Sequence, residues 1–87
     1  MSSEALLICN VSEGLFPEER TVTFHTSNGR KIELFVTEQR ITPDNKLEVT
    51  ILDEKNGLSL IRLPAEPINS SSGVTVRSEI VKRLTTA

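Results

Sequence analysis

The sequence contains one histidine, His25, and one cysteine, Cys9, the two residue types that most often serve as catalytic base and nucleophile. His25 lies in an alternating segment and is predicted to point outward, opposite Lys31 across a hairpin. We interpret it as a surface histidine; the competing interpretation is a general base. Cys9 lies in an apolar run, where a cysteine usually behaves as a small buried hydrophobe, whereas a nucleophilic thiolate needs an electropositive, partly exposed setting. The sequence therefore predicts no catalytic residue.

Sequence motifs for catalysis or metal binding are also missing. The chain contains no Walker A sequence, no G-x-G-x-x-G, no G-x-S-x-G and no H-E-x-x-H. Glu13, Glu18 and Glu19 crowd one loop, but their spacing does not resemble a calcium-binding loop, so we interpret them as solvated charges. A structural zinc site usually has four ligands, which one cysteine and one histidine do not supply. We expect no metal, no cofactor and no enzymatic activity.

Basic residues collect near the C-terminal end of the chain. Three of them lie within seven residues, where Glu79 is the only acid, and a fourth precedes them: Arg77, Lys82 and Arg83, with Arg62. They predict either a solvated terminal face or a phosphate-binding patch. The net charge of −2 argues against nonspecific DNA binding, and the absence of Trp and Tyr weakens stacking on single strands. RNA binding through this patch is the alternative function.

Two stretches of the C-terminal half carry a resemblance to a known family. Residues 49–67 (VTILDEKNGLSLIRLPAEP) and 74–84 (VTVRSEIVKRL) resemble the C-terminal half of carbon-storage-regulator RNA-binding proteins. The resemblance implies a small β dimer that reads hairpin RNA. It covers under half the chain. The chain departs from the family in three ways: it has a longer connector over residues 66–73, it has Thr75-Val76-Arg77 where the family shows a His-Arg pair, and it has an additional N-terminal hairpin.

The clearest structural signal is a β-hairpin over residues 21–36, where two alternating segments flank an Asn-Gly pair. A three-residue loop over residues 27–29 places the apolar residues of both strands on one face, with Phe24 opposite Ile32. A two-residue loop would divide them between the faces, so burial selects the three-residue register. Gly29 is then predicted to be the left-handed residue of a type I turn with a G1 bulge.

A second hairpin is predicted over residues 46–65, again with an Asn-Gly pair in its turn. A three-residue loop over residues 55–57 pairs Ile51 with Ile61 on the core face. The same register pairs Val49 with Leu63 and Leu47 with Ala65, and it leaves Leu52 opposite Leu60 on the other face. The two hairpins therefore share a predicted turn type.

The remaining segments are shorter. Residues 5–11 predict a strand, and the loop over residues 12–20 contains Leu15 and Phe16, which we expect to fold back and cap one end of the core. A surface binding loop is the competing interpretation. Pro43-Asp44-Asn45 predicts a turn. We expect a strand over residues 74–77, and the spacing beyond it also permits a short helix through Leu84.

These elements predict one all-β domain over residues 1–87. The hairpin order favours a small antiparallel meander that curls into a partly open barrel of five to six strands, with a two-layer sandwich as second choice. Three apolar residues then face away from the main apolar face: Phe35, Leu52 and Leu60. They form either a second core layer or a contact surface.

The leading functional hypothesis is a non-catalytic β-barrel module that binds proteins. It would act through a protein partner or as a homodimer, with Phe35, Leu52 and Leu60 as the contact surface. No apolar stretch reaches 18 residues, so we expect no membrane span. The single cysteine fits a reducing compartment, and we expect the protein in the cytoplasm.

Overall fold

The computed structural model of the protein describes residues 3–68 and 70–84. Within them the chain forms eight strands: β1 (Ser3–Ile8), β2 (Asn10–Glu13), β3 (Glu19–His25), β4 (Lys31–Thr37), β5 (Lys46–Lys55), β6 (Leu58–Arg62), β7 (Gly73–Arg77) and β8 (Val81–Arg83). Two single-turn 3-10 helices cover Glu38–Arg40 and Ser78–Ile80. The predicted all-β fold is confirmed.

The strands form two antiparallel sheets whose apolar faces pack against each other. One sheet has the order β7-β6-β5-β1-β8 and the other the order β2-β3-β4. In β1 and in β3 to β7 the buried side chains alternate with partly or fully exposed ones, as the two-residue period of a strand requires. The core between the sheets contains one buried Phe, Phe24, and otherwise only aliphatic side chains among the described residues.

A single segment, residues 3–13, belongs to both sheets. Its first part, β1, pairs with β5 on one side and with β8 on the other, and its second part, β2, pairs with β3. The strand predicted over residues 5–11 is therefore interrupted at Cys9, where the chain passes from one sheet to the other. Through this segment the ladders connect β7 to β4 in one continuous series.

The two ends of this series do not close into a barrel, because no ladder joins β4 to β7 within the described residues. Single backbone hydrogen bonds bridge the gap instead. The amide of Ser27, in the β3–β4 turn, donates to the Thr75 carbonyl at 3.0 Å, and the amide of Ile68, in the β6–β7 connector, donates to the Glu33 carbonyl at 2.9 Å.

The first predicted hairpin is confirmed in its register. Phe24 pairs with Ile32 and Val22 with Leu34, and all four side chains are buried. The amide of Thr26 donates to the Arg30 carbonyl at 2.9 Å, which closes the three-residue loop. Gly29 has a φ of 84°, as the predicted left-handed position requires.

The second hairpin differs from the prediction at its turn. Asn56 and Gly57 both have positive φ, 53° and 77°, and they form a two-residue loop in which Lys55 pairs with Leu58. Left-handed conformations at both central positions are typical of a type I′ turn, whose twist matches that of the flanking strands. The prediction of a three-residue loop over residues 55–57 was wrong.

A bulge at Leu52 then restores the predicted core register. Next to the turn, Asp53 pairs with Leu60, so the expected pairing of Leu52 with Leu60 was wrong. Beyond the bulge, Ile51 pairs with Ile61 as predicted, and both side chains are buried. One extra residue in β5 reconciles the shorter turn with the burial of the isoleucines. The ladder ends at Thr50 and Arg62, so the expected pairs of Val49 with Leu63 and of Leu47 with Ala65 do not form.

The C-terminal end of the described chain is fastened to the β5–β6 hairpin by a polar network. The Ser59 hydroxyl is fully buried, lies 2.7 Å from the Ser78 hydroxyl and donates to a Glu54 carboxylate oxygen at 3.3 Å. The other carboxylate oxygen of Glu54 forms an ion pair with Arg83. The helix permitted through Leu84 is limited to the 3-10 turn Ser78–Ile80, after which the chain forms β8.

The turn between Thr42 and Lys46 repeats the architecture of the β3–β4 turn. In each turn a threonine hydroxyl accepts a hydrogen bond from the amide four residues later, at 3.0 Å for Thr42 and 3.1 Å for Thr26. Each threonine hydroxyl also bonds to the side chain two residues later, Asp44 or Asn28. The β3–β4 turn and the Thr42–Lys46 turn therefore have the same architecture. The turn at Asn56-Gly57 has a different one.

We predict that Gly57→Ala destabilises the protein by about 1 kcal/mol, because a Cβ disfavours the left-handed backbone at this position. Gly73→Ala is the matched control, since a Cβ there meets nothing within 4 Å and its backbone is not left-handed. Urea unfolding followed by circular dichroism measures both. Equal midpoints for the two variants would contradict the turn geometry.

We also predict a pH-dependent contribution from the Thr42–Lys46 turn. Hydrogen bonds from the Lys46 and Thr42 side chains lower the pKa of Asp44 to about 2. Because the folded pKa lies below the unfolded value of about 3.9, this contribution is present above about pH 4 and is lost as the pH falls through about 2. Asp44→Asn should therefore lower the free energy of unfolding at neutral pH and have a smaller effect near pH 2.

The control for this prediction is the same substitution in a Lys46→Met background. The ammonium of Lys46 lies 2.8 Å from an Asp44 carboxylate oxygen, so Asp44→Asn should cost less stability once that ammonium is absent. An effect of Asp44→Asn that is independent of pH and of Lys46 would show that the carboxylate charge is not involved.

Candidate functional site

The loop between β2 and β3 presents two large apolar side chains to solvent. Leu15 is 78% exposed and Phe16 is 68% exposed, the two highest values among the exposed large hydrophobic residues that the structure describes. The prediction that they cap the core was wrong. The loop backbone directs both side chains into solvent, and the competing interpretation, a surface binding loop, agrees with the exposure.

Hydrogen bonds within the loop hold these side chains outward. The amide of Gly14 donates to the Glu19 carbonyl at 3.0 Å, and the amide of Glu19 donates to the Phe16 carbonyl at 3.0 Å. The Glu19 carboxylate accepts from the amide of Leu15 at 3.0 Å. On the other side of the loop, the Arg20 guanidinium donates to the Pro17 carbonyl at 3.0 Å. The loop thus has a defined backbone although its tip is apolar.

Gly14 is required by the close approach of the two loop ends. A Cβ at this position would lie 2.8 Å from the backbone carbon and oxygen of Glu19, a distance at which the backbone must move. Gly14 therefore permits the loop conformation in which Leu15 and Phe16 face solvent.

Phe16 also forms one wall of a cleft of about 480 Å³ that extends past the end of β4 to Pro64 and Ala65. We call this the loop cleft; its apolar lining comprises Phe16, Phe35, Val36, Pro64 and Ala65. Phe35, which the sequence predicted to face away from the core, is half-buried in this lining. The structure thus brings Phe35 next to a residue that the sequence analysis had assigned to core capping.

The surroundings of the loop cleft are more acidic than basic. Four carboxylates lie on or next to the loop and on the neighbouring 3-10 helix, Glu13, Glu18, Glu19 and Glu38, against two guanidinium groups, Arg20 and Arg40. Arg20 forms an ion pair of 3.1 Å with Glu38, and Arg40 one of 3.9 Å with Glu48. The remaining carboxylates give this surface a negative character.

Leu52 and Leu60 lie elsewhere on the molecule. Leu60 is on β6, on the outer face of the five-stranded sheet, and Leu52 is the half-buried residue of the β5 bulge. Phe35 is on the outer face of the other sheet, because its neighbours Leu34 and Val36 are buried. The structure therefore places Phe35 and Leu60 on two different surfaces.

Arg62 lies apart from the other three basic residues of the alternative hypothesis. Arg62 and Arg77 lie at opposite ends of the β6–β7 ladder, four residues or about 13 Å apart along the strand. Lys82 and Arg83 are on β8, which is the last strand in the order of the sheet, but only the 3-10 turn Ser78–Ile80 separates this strand from Arg77 along the chain. Arg77 lies 3.8 Å from Glu79, and Arg83 forms an ion pair with Glu54. These carboxylates reduce the positive field that a phosphate backbone would meet.

Comparisons with protein-family models, with curated proteins and with solved structures find no match to this chain. In residues 3–68 and 70–84, no group of three or more His, Cys, Asp or Glu side chains is placed to hold a metal ion. The helices of this part of the chain are too short and insufficiently apolar to cross a membrane. The functional argument therefore depends on the surfaces described above.

The single cysteine and the single histidine line a second cleft, of about 430 Å³, together with Arg77 and Ile80. His25 pairs with Lys31 and is exposed, as predicted. Cys9 is half-buried against the core, and its thiol lies 4.0 Å from the Asn45 carbonyl oxygen. Burial raises the pKa of the Cys9 thiol, and a backbone hydrogen bond at Leu47 offsets part of this effect. The raised pKa disfavours the thiolate that a nucleophile requires.

We predict that near pH 8 the Cys9 thiol reacts with iodoacetamide at least about tenfold more slowly in the folded protein than in the urea-unfolded protein. The reason is that folding buries the thiol and raises its pKa. Mass spectrometry of samples quenched at intervals measures both rates, and a short unstructured peptide containing one cysteine serves as the reference. A folded-state rate above that of the peptide would instead identify Cys9 as an activated thiol.

Proposed function

We propose that this protein is a non-catalytic protein-interaction module that binds its partner through Leu15, Phe16 and the adjoining loop cleft. The observation that carries the proposal is the exposure of these two side chains on a loop whose backbone is held by its own hydrogen bonds. The proposed compartment is the cytoplasm, in keeping with the use of a single unpaired cysteine in the sequence.

The energetic argument concerns the apolar surface. Burial of a leucine or phenylalanine side chain contributes about 1.5–3 kcal/mol, and this contribution is unrealised while Leu15 and Phe16 face water. Large aromatic and aliphatic anchors that enter a partner's pocket are typical of the residues that dominate binding energy at protein interfaces. The exposed pair is therefore suited to such an anchoring role.

The preformed loop supports the same proposal through entropy. Ordering a loop on binding costs free energy, and a loop that is already ordered avoids much of that cost. The hydrogen bonds of Gly14 and Glu19 fix the loop before a partner arrives. We infer that the loop binds with little rearrangement.

The chemistry of the surface specifies the kind of partner. Phe16 and the apolar lining of the loop cleft suit an apolar segment or pocket, and the surrounding carboxylates favour basic residues around it. We propose a partner protein with an apolar contact region rimmed by Lys or Arg. An acidic surface of this kind is unsuited to RNA, and the carboxylates beside Arg77 and Arg83 give the RNA-binding alternative less support.

We predict that Phe16→Ser lowers retention of the partner by about tenfold or more, since losing 1.4 kcal/mol of binding free energy corresponds to that factor. The measurement is affinity capture of the tagged chain from its own lysate, with and without ribonuclease, followed by quantitative mass spectrometry. Ile68→Ser is the matched control, because Ile68 is 61% exposed and lies on a different segment.

Gly14→Ala is a second variant that leaves both anchoring side chains in place. It should weaken the same partner, because a Cβ at residue 14 displaces the loop backbone. Partners that Phe16→Ser retains fully would contradict the proposal. Partners that disappear after ribonuclease treatment, and that are lost with Arg77→Glu and Arg83→Glu, would favour the RNA-binding alternative instead.

A further inference from the structure

The outer face of β5, β6 and β7 carries a second apolar surface, which we call the leucine face. Leu58 and Leu60 lie side by side on β6, with 39% and 38% of their surface exposed. Between them Ser59 is buried, so both leucines point away from the core. Asp53 and Lys55 flank them on β5, and Thr75 and Arg77 flank them on β7.

The strand register arranges these six residues in two rows across the sheet. One row consists of Lys55, Leu58 and Arg77, and the next row consists of Asp53, Leu60 and Thr75. The rows lie two residues apart along the strands, or about 7 Å. On β5, the positive charge of Lys55 and the negative charge of Asp53 therefore lie in successive rows. Leu58 and Leu60 lie beside them on β6.

This arrangement is complementary to itself. A twofold axis in the plane between two such faces, perpendicular to the strands and midway between the rows, exchanges the rows. It places Leu58 of one copy over Leu60 of the other and Lys55 of one copy over Asp53 of the other. Both contacts occur twice, as an isologous interface requires. Two faces packed in this way lie about 10 Å apart with their strands within about 30° of each other.

The other twofold axis, parallel to the strands, gives an unfavourable match. It places Lys55 of one copy over Arg77 of the other, so cations would face cations. Charge complementarity thus selects the perpendicular axis. We propose that the leucine face is the interface at which a second copy of this chain docks, with Lys55 opposite Asp53 and Leu58 opposite Leu60.

This inference is independent of the proposed function. The leucine face is on the five-stranded sheet, whereas the β2–β3 loop adjoins the three-stranded sheet. Dimerisation would leave both loops accessible and would present two Leu15-Phe16 pairs to a partner. The face is small, because it spans three strands and two rows, so we expect a weak, concentration-dependent dimer.

Sedimentation velocity of the full chain over a concentration series tests the proposal. We expect a monomer–dimer equilibrium for the wild-type chain and a monomer for the double variant Leu58→Asp/Leu60→Asp. Ile68→Asp is the matched control and should dimerise as the wild type does. A wild-type chain that stays monomeric up to about 1 mM, or a dimer that survives both leucine substitutions, would overturn the proposal.

Charge exchange at exposed positions tests the orientation without altering an apolar residue. Asp53→Lys and Lys55→Asp should each weaken the dimer, because each brings like charges together across the perpendicular axis. The double exchange Asp53→Lys/Lys55→Asp should restore it, because both ion pairs reform with reversed polarity. A dimer that Lys55→Asp strengthens would indicate the parallel axis and refute the arrangement. Circular dichroism confirms that each variant is folded.

Discussion

The rest of the structure depends on the position of β1 between two strands of one sheet and its continuation into the other sheet. Leu7, near the end of β1, is fully buried and pairs with Leu47 on one side and Val81 on the other. The chain then passes Cys9 and pairs with β3. A small domain with a single buried phenylalanine has to bring both apolar sheet faces together to obtain a core, and this shared segment fixes the position of one sheet relative to the other.

The polar network at the end of the five-stranded sheet solves a second problem, the return of the chain from one sheet edge to the other. β7 and β8 lie at opposite edges, yet only the 3-10 turn Ser78–Ile80 separates them in sequence. The sheet must therefore curl at this end. Ser59, Ser78 and Glu54 satisfy each other's hydrogen-bonding groups inside the curl, so burying the Ser59 hydroxyl carries no penalty for an unmade hydrogen bond.

Local patterns predicted the elements in which burial and turn chemistry agree. For the β3–β4 hairpin, the same register buries Phe24 opposite Ile32 and gives Gly29 a left-handed position, so the sequence determines the answer. For the β5–β6 hairpin, the burial of Ile51 opposite Ile61 predicted the core register correctly. The type I′ turn shifts the strand pairing next to the loop by one residue, and the extra residue in the bulge at Leu52 compensates for that shift. The β5 residues between the bulge and the turn are all charged, Asp53, Glu54 and Lys55, so the apolar pattern does not show the change of phase and burial alone could not distinguish the two turns.

The candidate site was less predictable, because it depends on which surfaces remain after the core is filled. In the sequence, Phe35, Leu52 and Leu60 share an outward phase. Only the topology shows that Phe35 and Leu60 lie on different sheets. Likewise, the apolar character of Leu15 and Phe16 indicated burial. The hydrogen bonds that prevent their burial are made by backbone groups and by the Glu19 carboxylate, and a hydropathy pattern contains no information about such bonds.

Phe16 is therefore exposed because the loop backbone holds its side chain outward, and not because the surface lacks a site where the ring could be buried. The loop cleft beside it is lined by apolar side chains that a rearranged loop could cover. The contact between Gly14 and Glu19 works against this rearrangement, because the amide of Gly14 is already bonded to the Glu19 carbonyl and the loop ends are held together. A sequence that maximised stability alone would gain by burying the ring. The retention of a fixed, solvent-facing aromatic side chain next to an apolar cleft agrees better with a surface that a partner protein completes.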